Sequence, residues 1–199
     1  GWGLVDESGR PVPHQVIEAQ SGAGTAERGI ERLVIQADLP PMGYRLYRFA
    51  HDADPARRRL VVSAIEHSAV LESVEHLALR EGAEVTWVGC DRDGVVSADA
   101  VRAAIEDGPG GPATVAFVSC MWANNETGVV QPVREIAQVT REHGLPLHTD
   151  AVQAVGKVAV DFAASGADLL VASGHKIGGP VGVGLLLATR EAPIQPISH

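Results

Sequence analysis

The sequence predicts an α/β fold: a mostly parallel sheet with helices on both faces, preceded by a small β-rich segment. From about residue 60 onward, short apolar runs alternate with amphipathic stretches of helical period, as in βα units. The first fifty residues instead contain short extended runs broken by glycine and proline. Only about eight residues separate Ser173 from the last apolar run, too few for a parallel crossover, so the final strand pair should be antiparallel.

The N-terminal part reads as a segment separate from the rest of the chain. Extended runs around residues 12–16 and 32–36 predict short strands. Residues 52–59 are charged, contain Pro55 and show no periodicity, which indicates a linker. We therefore predict a small β-rich segment at residues 1–55 and an α/β domain at residues 56–199.

The first half of the α/β part contains two predicted βα units and a third strand. Gly82 ends the first apolar helical face, and Ser97 has the residue type of a helix N-cap. A turn is expected at residues 91–94, where aspartates and a glycine cluster. The predicted elements are strands at residues 60–65, 84–88 and 114–120 and helices at residues 69–80 and 97–106.

The second half continues the same alternation. A helix begins with Pro132 in its first turn and stops at Gly144, in keeping with the usual placement of proline and glycine at helix ends. Three further apolar runs follow it, and none is long enough for a helix of ordinary length. The predicted strands lie at residues 146–150, 168–173 and 182–188.

Composition and charge favour small-molecule chemistry. The chain has 199 residues, of which 45% are hydrophobic and 21% charged, which suits a globular protein with one sizeable core. Its formal charge is −9 and its basic residues are scattered, so the sequence contains no basic cluster that would bind nucleic acid or an anionic membrane. No apolar run approaches the ~20 residues of a membrane span, and the first ten residues do not resemble a signal peptide. We expect a soluble, cytoplasmic protein.

Polar clusters follow four of the predicted strands directly. They are residues 66–67, residues 124–128, Asp150 with Gln153, and residues 173–176. In open α/β sheets, ligands gather at the carboxyl ends of the strands. The four clusters are therefore expected to share one rim of the sheet.

Lys176 is the candidate for covalent chemistry in this group. It follows a buried strand and precedes Gly178 and Gly179, which allow backbone and ligand to approach closely. A lysine amine in such a place can form a Schiff base with a carbonyl cofactor. Taken alone, the pattern fits a surface lysine in a glycine-rich turn better than a Schiff-base lysine. Together with the other polar clusters, it favours the Schiff-base lysine.

The other three clusters supply the candidate partners. Asp150 would keep a pyridine nitrogen protonated and so make the ring an electron sink, although Asp150 and Gln153 also have the spacing of a helix capping box. Gln153 would otherwise donate to the ring's phenolic oxygen. His67 would stack on a flat ring or act as acid or base, against the alternative of a helix-start histidine without a role. For Asn124 and Asn125 the alternative is turn chemistry.

These segments resemble the motifs of cysteine desulfurases, in the family's order and with compatible gaps, across about residues 60–199. The matching residues are 66–70, 124–128, 148–153 and 173–176. The resemblance implies part of the large domain of a fold-type I pyridoxal-phosphate enzyme of the class V aminotransferase-like group. It further implies a homodimer that takes sulfur from L-cysteine, releases alanine and passes a persulfide to acceptor proteins, as in iron–sulfur cluster assembly.

The resemblance also implies roles for individual residues. Lys176 would hold pyridoxal 5′-phosphate as a Schiff base and, once freed by substrate, would move the α-proton. His67 would stack on the ring and Asp150 would pair with its nitrogen. The remaining cofactor contacts would come from Asn125 and Gln153 at the ring substituents and from Ser173 and His175 at the phosphate.

The sequence departs from the family pattern in three places. The family's glycine- and threonine-rich phosphate loop has no counterpart before residue 60, and its reactive cysteine and carboxylate-binding arginine lie beyond residue 199. We therefore expect a fragment truncated at both ends. Cys120 falls in a predicted buried strand and Cys90 near a strand end, whereas a persulfide carrier needs an exposed thiolate, so catalysis is assigned to neither. Their spacing fits no disulfide framework or zinc site, and no metal site is predicted.

Residues 1–50 resemble a β-rich stretch of α-mannosidase-type glycoside hydrolases, chiefly at residues 9–15 and 39–48. This second resemblance implies a chain that joins pieces of two unrelated proteins. Carbohydrate hydrolysis itself is excluded for this segment, because so short a stretch has no room for a cleft with a carboxylate pair.

Three functional hypotheses follow. The chain is part of a cysteine desulfurase, part of a related class V aminotransferase or selenocysteine lyase, or an inactive truncated or chimeric product. A loop cysteine in a longer reading frame would separate the first two. A cofactor adduct that depends on Lys176 would separate both from the third.

Overall fold

The computed structural model describes residues 57–189 and 192, together with the backbone of two N-terminal strands. In chain order the strands are His14–Glu18 (β1), Ile30–Gln36 (β2), Arg59–Ser63 (β3), Glu84–Val88 (β4), Val115–Ser119 (β5), Leu147–Asp150 (β6), Leu169–Ser173 (β7) and Val183–Thr189 (β8). The α-helices are Ser68–Glu81 (α1), Ala98–Glu106 (α2), Val133–Glu142 (α3) and Phe162–Ser165 (α4). None of these helices is long and apolar enough to cross a membrane.

The predicted elements of the α/β part are confirmed, with ends that shift by one or two residues. Strand β4 has the predicted bounds, and Ser97 is the N-cap of α2. Gly82 caps α1 with a φ of 70°, a left-handed conformation that glycine adopts without strain. Helix α4 was not predicted, nor were the short 3₁₀ helices Pro112–Thr114 and Gly174–Ile177.

The sheet is mixed, with a parallel centre. Its strand order is β1-β2-β8-β7-β6-β5-β3-β4, and the five strands from β7 to β4 pair in parallel. Strand β8 pairs antiparallel with β7, as the short connection predicted. Strands β1 and β2 overlap the two predicted N-terminal strands, and β2 pairs antiparallel with β8. The boundary predicted near residue 55 lies outside the described residues and stays a prediction.

Helices cover both faces of the sheet, as the sequence predicted. Leu60 and Val62 of β3 pack with Val74 of α1 on one face. Val61, between them, packs on the other face with the cluster that includes apolar residues of α2 and α3. Alternate residues of a strand point to opposite faces, so β3, whose five residues are all buried, is covered on both sides.

Arg59 corrects the predicted linker, which extended from residue 52 to residue 59. Residues 52–56 lie outside the described part, but Arg59 is the first residue of β3 and is 1% exposed. Its guanidinium donates to the carbonyl oxygens of Ala104, Ile105 and Gly111 at 2.6–2.8 Å and to the hydroxyls of Thr114 and Thr86 at 3.0 and 3.3 Å. Two of these carbonyls belong to the last turn of α2, which has no partners within the helix for them. Arg59 thus fixes the end of α2 to the sheet.

Replacing Ser97 with alanine is expected to destabilise the fold by about 1 kcal/mol. The Ser97 hydroxyl accepts a hydrogen bond from the Ala100 amide at 3.1 Å, and alanine leaves that amide without its cap. Urea unfolding measures the loss. Ser68→Ala, at an exposed serine in the first turn of α1, is the matched control. Equal changes in the two variants would contradict the capping role.

Candidate cofactor site

The four polar clusters lie on one rim of the sheet, as predicted. Strands β7, β6, β5 and β3 are neighbours and run parallel, so their carboxyl ends meet at the same edge. The chain leaves β3 towards β4 and leaves β5 in the opposite direction towards β6. The crevice between β3 and β5 is therefore a topological switch point, the usual ligand site of such a sheet.

Lys176 lies in the 3₁₀ helix Gly174–Ile177, directly after β7, and its side chain is exposed on the rim. The hydroxyl of Ser173 lies 2.6 Å from Nδ1 of His175. The Gly179 amide donates to the Gly174 carbonyl at 2.8 Å, and a Cβ at Gly179 would lie 3.0 Å from that oxygen. The predicted need for glycine beside Lys176 is thus explained by a loop that closes tightly on itself.

Asp150 ends β6 and is 7% exposed. Its Oδ1 accepts a hydrogen bond from the Val152 amide at 2.8 Å. Burial raises the pKa of this carboxyl group, against the opposing effects of that hydrogen bond and of the charge on His67. The capping-box alternative is wrong, because turns rather than a helix follow Asp150 and Oε1 of Gln153 accepts from Lys157 instead.

His67 is the N-cap of α1 and is exposed at the carboxyl end of β3. Its Nδ1 accepts a hydrogen bond from the Ala69 amide at 3.2 Å, so in the neutral ring the proton lies on Nε2. The predicted position of His67 at the start of a helix is confirmed. Stacking on a cofactor stays a prediction.

The two asparagines after β5 differ in what they contact. Asn124 Oδ1 accepts hydrogen bonds from the amides of Glu126 and Thr127, and its Nδ2 donates to the Ile65 carbonyl at 2.9 Å. Asn125 is exposed on the rim. Turn chemistry therefore explains Asn124, while Asn125 is available to a ligand.

A buried polar network behind the rim was not predicted. Oε1 of Glu66 accepts from the Ser63 hydroxyl and the Met121 amide, both at 2.7 Å, and from the Ser119 hydroxyl at 3.5 Å. The Ser119 hydroxyl lies 2.9 Å from Nδ1 of His148. Burial raises the pKa of Glu66 to about 8 and lowers that of His148 to about 4. The sequence showed Glu66 only as the neighbour of His67, with no sign that its carboxyl group turns inward.

Cys120 is buried, as predicted, but lies one residue after β5 rather than within it, and Cys90 lies near the end of β4, as predicted. Cys120 is 1% exposed, and burial raises the pKa of its thiol far above the usual value, which makes it unreactive. Cys90 is exposed after the end of β4.

Comparisons with known proteins show which family the chain resembles. The family profile "Aminotransferase class-V" matches residues 48–198. The chain is 47% identical over 154 residues to the "IscS-like cysteine desulfurase" of Mycobacterium tuberculosis, covering 77% of this chain and 38% of that protein. It is 45% identical over 150 residues to a cysteine desulfurase of Cereibacter sphaeroides, covering 75% and 37%. The chain thus spans less than two fifths of the length of these relatives.

Solved structures give the same result for the fold. The structure described as "SspA in complex with cysteine" matches with a TM-score of 0.64 and 36% identity, over 72% of this chain and 40% of that one. DndA from Streptomyces lividans matches with a TM-score of 0.62 and 42% identity, also over 72% and 40%. Since the family profile covers most of the chain, this protein belongs to the aminotransferase class-V family.

Proposed function

We propose that this chain is the pyridoxal-phosphate-binding part of a cysteine desulfurase, with Lys176 as the lysine that holds the cofactor. The observation that carries the proposal is the shared rim, where four adjacent parallel strands present Lys176, Asp150, Asn125 and His67. Relatives named cysteine desulfurase and a structural neighbour solved with cysteine support L-cysteine as the substrate. On the same likeness we propose transfer of sulfur to acceptor proteins, a homodimer and a cytoplasmic location.

The residues on the rim fit this cofactor. Asp150 is almost fully buried, and the hydrogen bond shown for its carboxyl group among the described residues is the one that Oδ1 accepts from the Val152 amide. A buried carboxylate is costly without a compensating charge, and a protonated pyridine nitrogen would supply one. Lys176 is exposed a few residues beyond the end of β7, the strand next to Asp150's own. An acidic group and an amine on adjacent strand ends are the pair that a pyridine aldehyde requires.

Bound pyridoxal phosphate supplies an electron sink for the carbanion at the substrate α-carbon. The protein's own part is to bind, orient and move a proton. Asp150 would hold a proton on the ring nitrogen, and the ring of His67 would stack on the cofactor ring. The amine of Lys176, once released, would take the proton from the substrate α-carbon. Ser173 and His175 would donate to the phosphate.

Borohydride reduction after addition of pyridoxal phosphate tests the proposal directly. The chain contains two lysines, Lys157 and Lys176, which makes the assignment simple. We expect a reduced adduct on the peptide that contains Lys176. Lys157→Arg should keep this adduct, and Lys176→Arg should lower it by at least about tenfold, because arginine is not a nucleophile at neutral pH. Mass spectrometry of the peptides measures both.

Asp150→Asn supplies the second variant. It keeps the amine of Lys176 but removes the charge that would compensate a protonated ring nitrogen, so the cofactor should bind about tenfold or more weakly while the adduct stays on Lys176. Equal labelling of both lysines, or labelling that survives Lys176→Arg, would overturn the proposal.

A further inference from the structure

Glu66 occupies an unusual place for a carboxyl group on this rim. It lies three residues after β3 ends and immediately before His67, yet it is 5% exposed while His67 is exposed. Its Oε2 is buried and has no partner in the described part of the chain. Burying a carboxyl group costs free energy, and the cost is offset only when donors are arranged around it.

The donors around Glu66 come from two different segments. Ser63 is the last residue of β3. Ser119 is the last residue of β5, and Met121 lies two residues beyond it. A single oxygen, Oε1, therefore joins the carboxyl ends of the two strands that flank the switch point. The amide of Met121 at 2.7 Å is the main link, because a backbone donor cannot rotate away.

A second contact reinforces the first. Asn124 Nδ2 donates to the carbonyl of Ile65, the residue before Glu66. The turn between β3 and α1 is thus held to the segment after β5 at two consecutive residues. The turn carries His67 at its end, so the position of the imidazole depends on these contacts.

We propose that Glu66 is a positioning residue for His67, whose buried carboxyl group fastens the turn that carries the imidazole to the carboxyl end of β5. The consequence for cofactor binding rests on the proposed function, but the fastening itself does not. When the Glu66 carboxyl group is protonated, its Oε1 still accepts the hydrogen bonds from Ser63, Ser119 and Met121. The amide oxygen of a glutamine at this position can accept the same three bonds. The raised pKa of Glu66 agrees with the protonated form at neutral pH.

A double-mutant cycle with His67 tests the inference. Glu66→Ala should weaken binding of pyridoxal phosphate by about tenfold, and Glu66→Gln should stay within about threefold of wild type, because only alanine removes the acceptor. Adding Glu66→Ala to His67→Ala should cause no further loss of affinity for pyridoxal phosphate, since Glu66 is proposed to act through the imidazole of His67, which His67→Ala has already removed. Glu72→Ala, an exposed glutamate of α1, is the control. Losses that multiply in the double variant, or a glutamine variant as weak as alanine, would overturn the inference.

Amide hydrogen exchange without cofactor separates failure of this inference from failure of the proposed function. The Ala69 amide reports the turn through its bond to His67, and the Val101 amide reports global unfolding through α2. Glu66→Ala should speed exchange of Ala69 by about tenfold relative to Val101, and Glu66→Gln should restore it. If the wild-type chain forms no adduct on Lys176, the proposed function fails. The exchange rate of the Ala69 amide then tests the positioning role by itself. Unchanged exchange at Ala69 would then refute the positioning role.

Discussion

The free energy of unfolding is expected to fall by about 2 kcal/mol from about pH 6.5 to about pH 8. Glu66 causes the fall. Its pKa rises from the usual 4.5 to about 8 in the folded chain because it is buried. Between these values the folded state keeps a proton that the unfolded state has released, so a rise in pH favours unfolding.

His148 acts in the opposite direction at lower pH. Burial lowers its pKa from 6.5 to about 4, so between these values the unfolded state binds a proton that the folded state does not. A rise in pH therefore favours folding in that range. The two groups act in opposite directions from about pH 4.5 to about 6.5, and above that range His148 no longer opposes the fall. Burial also raises the pKa of Asp150, which acts in the same direction as Glu66.

Glu66→Gln isolates this effect. Relative to wild type, the variant should gain stability as the pH rises from about 4.5, and it should not show the fall caused by Glu66 between about pH 6.5 and 8. Urea unfolding at several pH values measures both profiles, and Asp150 contributes equally to each. Glu72→Gln, the exposed counterpart on α1, should follow wild type. Parallel profiles for wild type and Glu66→Gln would show that Glu66 does not keep its proton in the folded chain.

Arg59→Met is expected to destabilise the chain by about 3–5 kcal/mol. Methionine fills part of the volume but donates no hydrogen bonds. The carbonyl oxygens of Ala104, Ile105 and Gly111 would then be left without the guanidinium, inside a region that water reaches poorly. Gly108 shows how closely the groups fit, because a Cβ there would lie 2.1 Å from Nη1 of Arg59.

Thermal and urea unfolding of three variants measure this contribution. Arg92→Met, in an exposed turn, is the matched control and should change stability by less than about 0.5 kcal/mol. The loss of stability in Arg59→Lys should lie between those of Arg59→Met and Arg92→Met, since an ammonium group cannot replace the five N–H donors of a planar guanidinium group. A loss in Arg59→Met no larger than in Arg92→Met would contradict the proposed role in fixing α2.

Local sequence signals were sufficient for the strands and for the three longer helices of the α/β part, but not for α4 or the two 3₁₀ helices. Ser97, Gly82 and Gly144 mark helix ends because capping acts within a few residues, and the apolar runs mark strands that are covered on both faces. The short link before β8 also determined its antiparallel direction. Arg59 was misassigned because its neighbours are charged and polar, and its partners lie about 27 to 55 residues away in sequence.

For the site, the sequence identified the side chains on the rim and not those behind it. Lys176, Asp150, His67 and Asn125 follow strand ends, a rule that can be applied without coordinates. Glu66, Ser119 and His148 have the same residue types as any surface group. Whether they face solvent or each other depends on which strands become neighbours.

The sequence by itself determined the α/β class, the order of the strands and helices, and the family-like motifs at the strand ends, because propensity, capping and apolar period are local properties. The tertiary structure decided the strand order in the sheet, the burial of Arg59 and Glu66, and the protonation of Glu66 and His148. These depend on burial and on partners distant in the chain, and both exist only after the strands have paired.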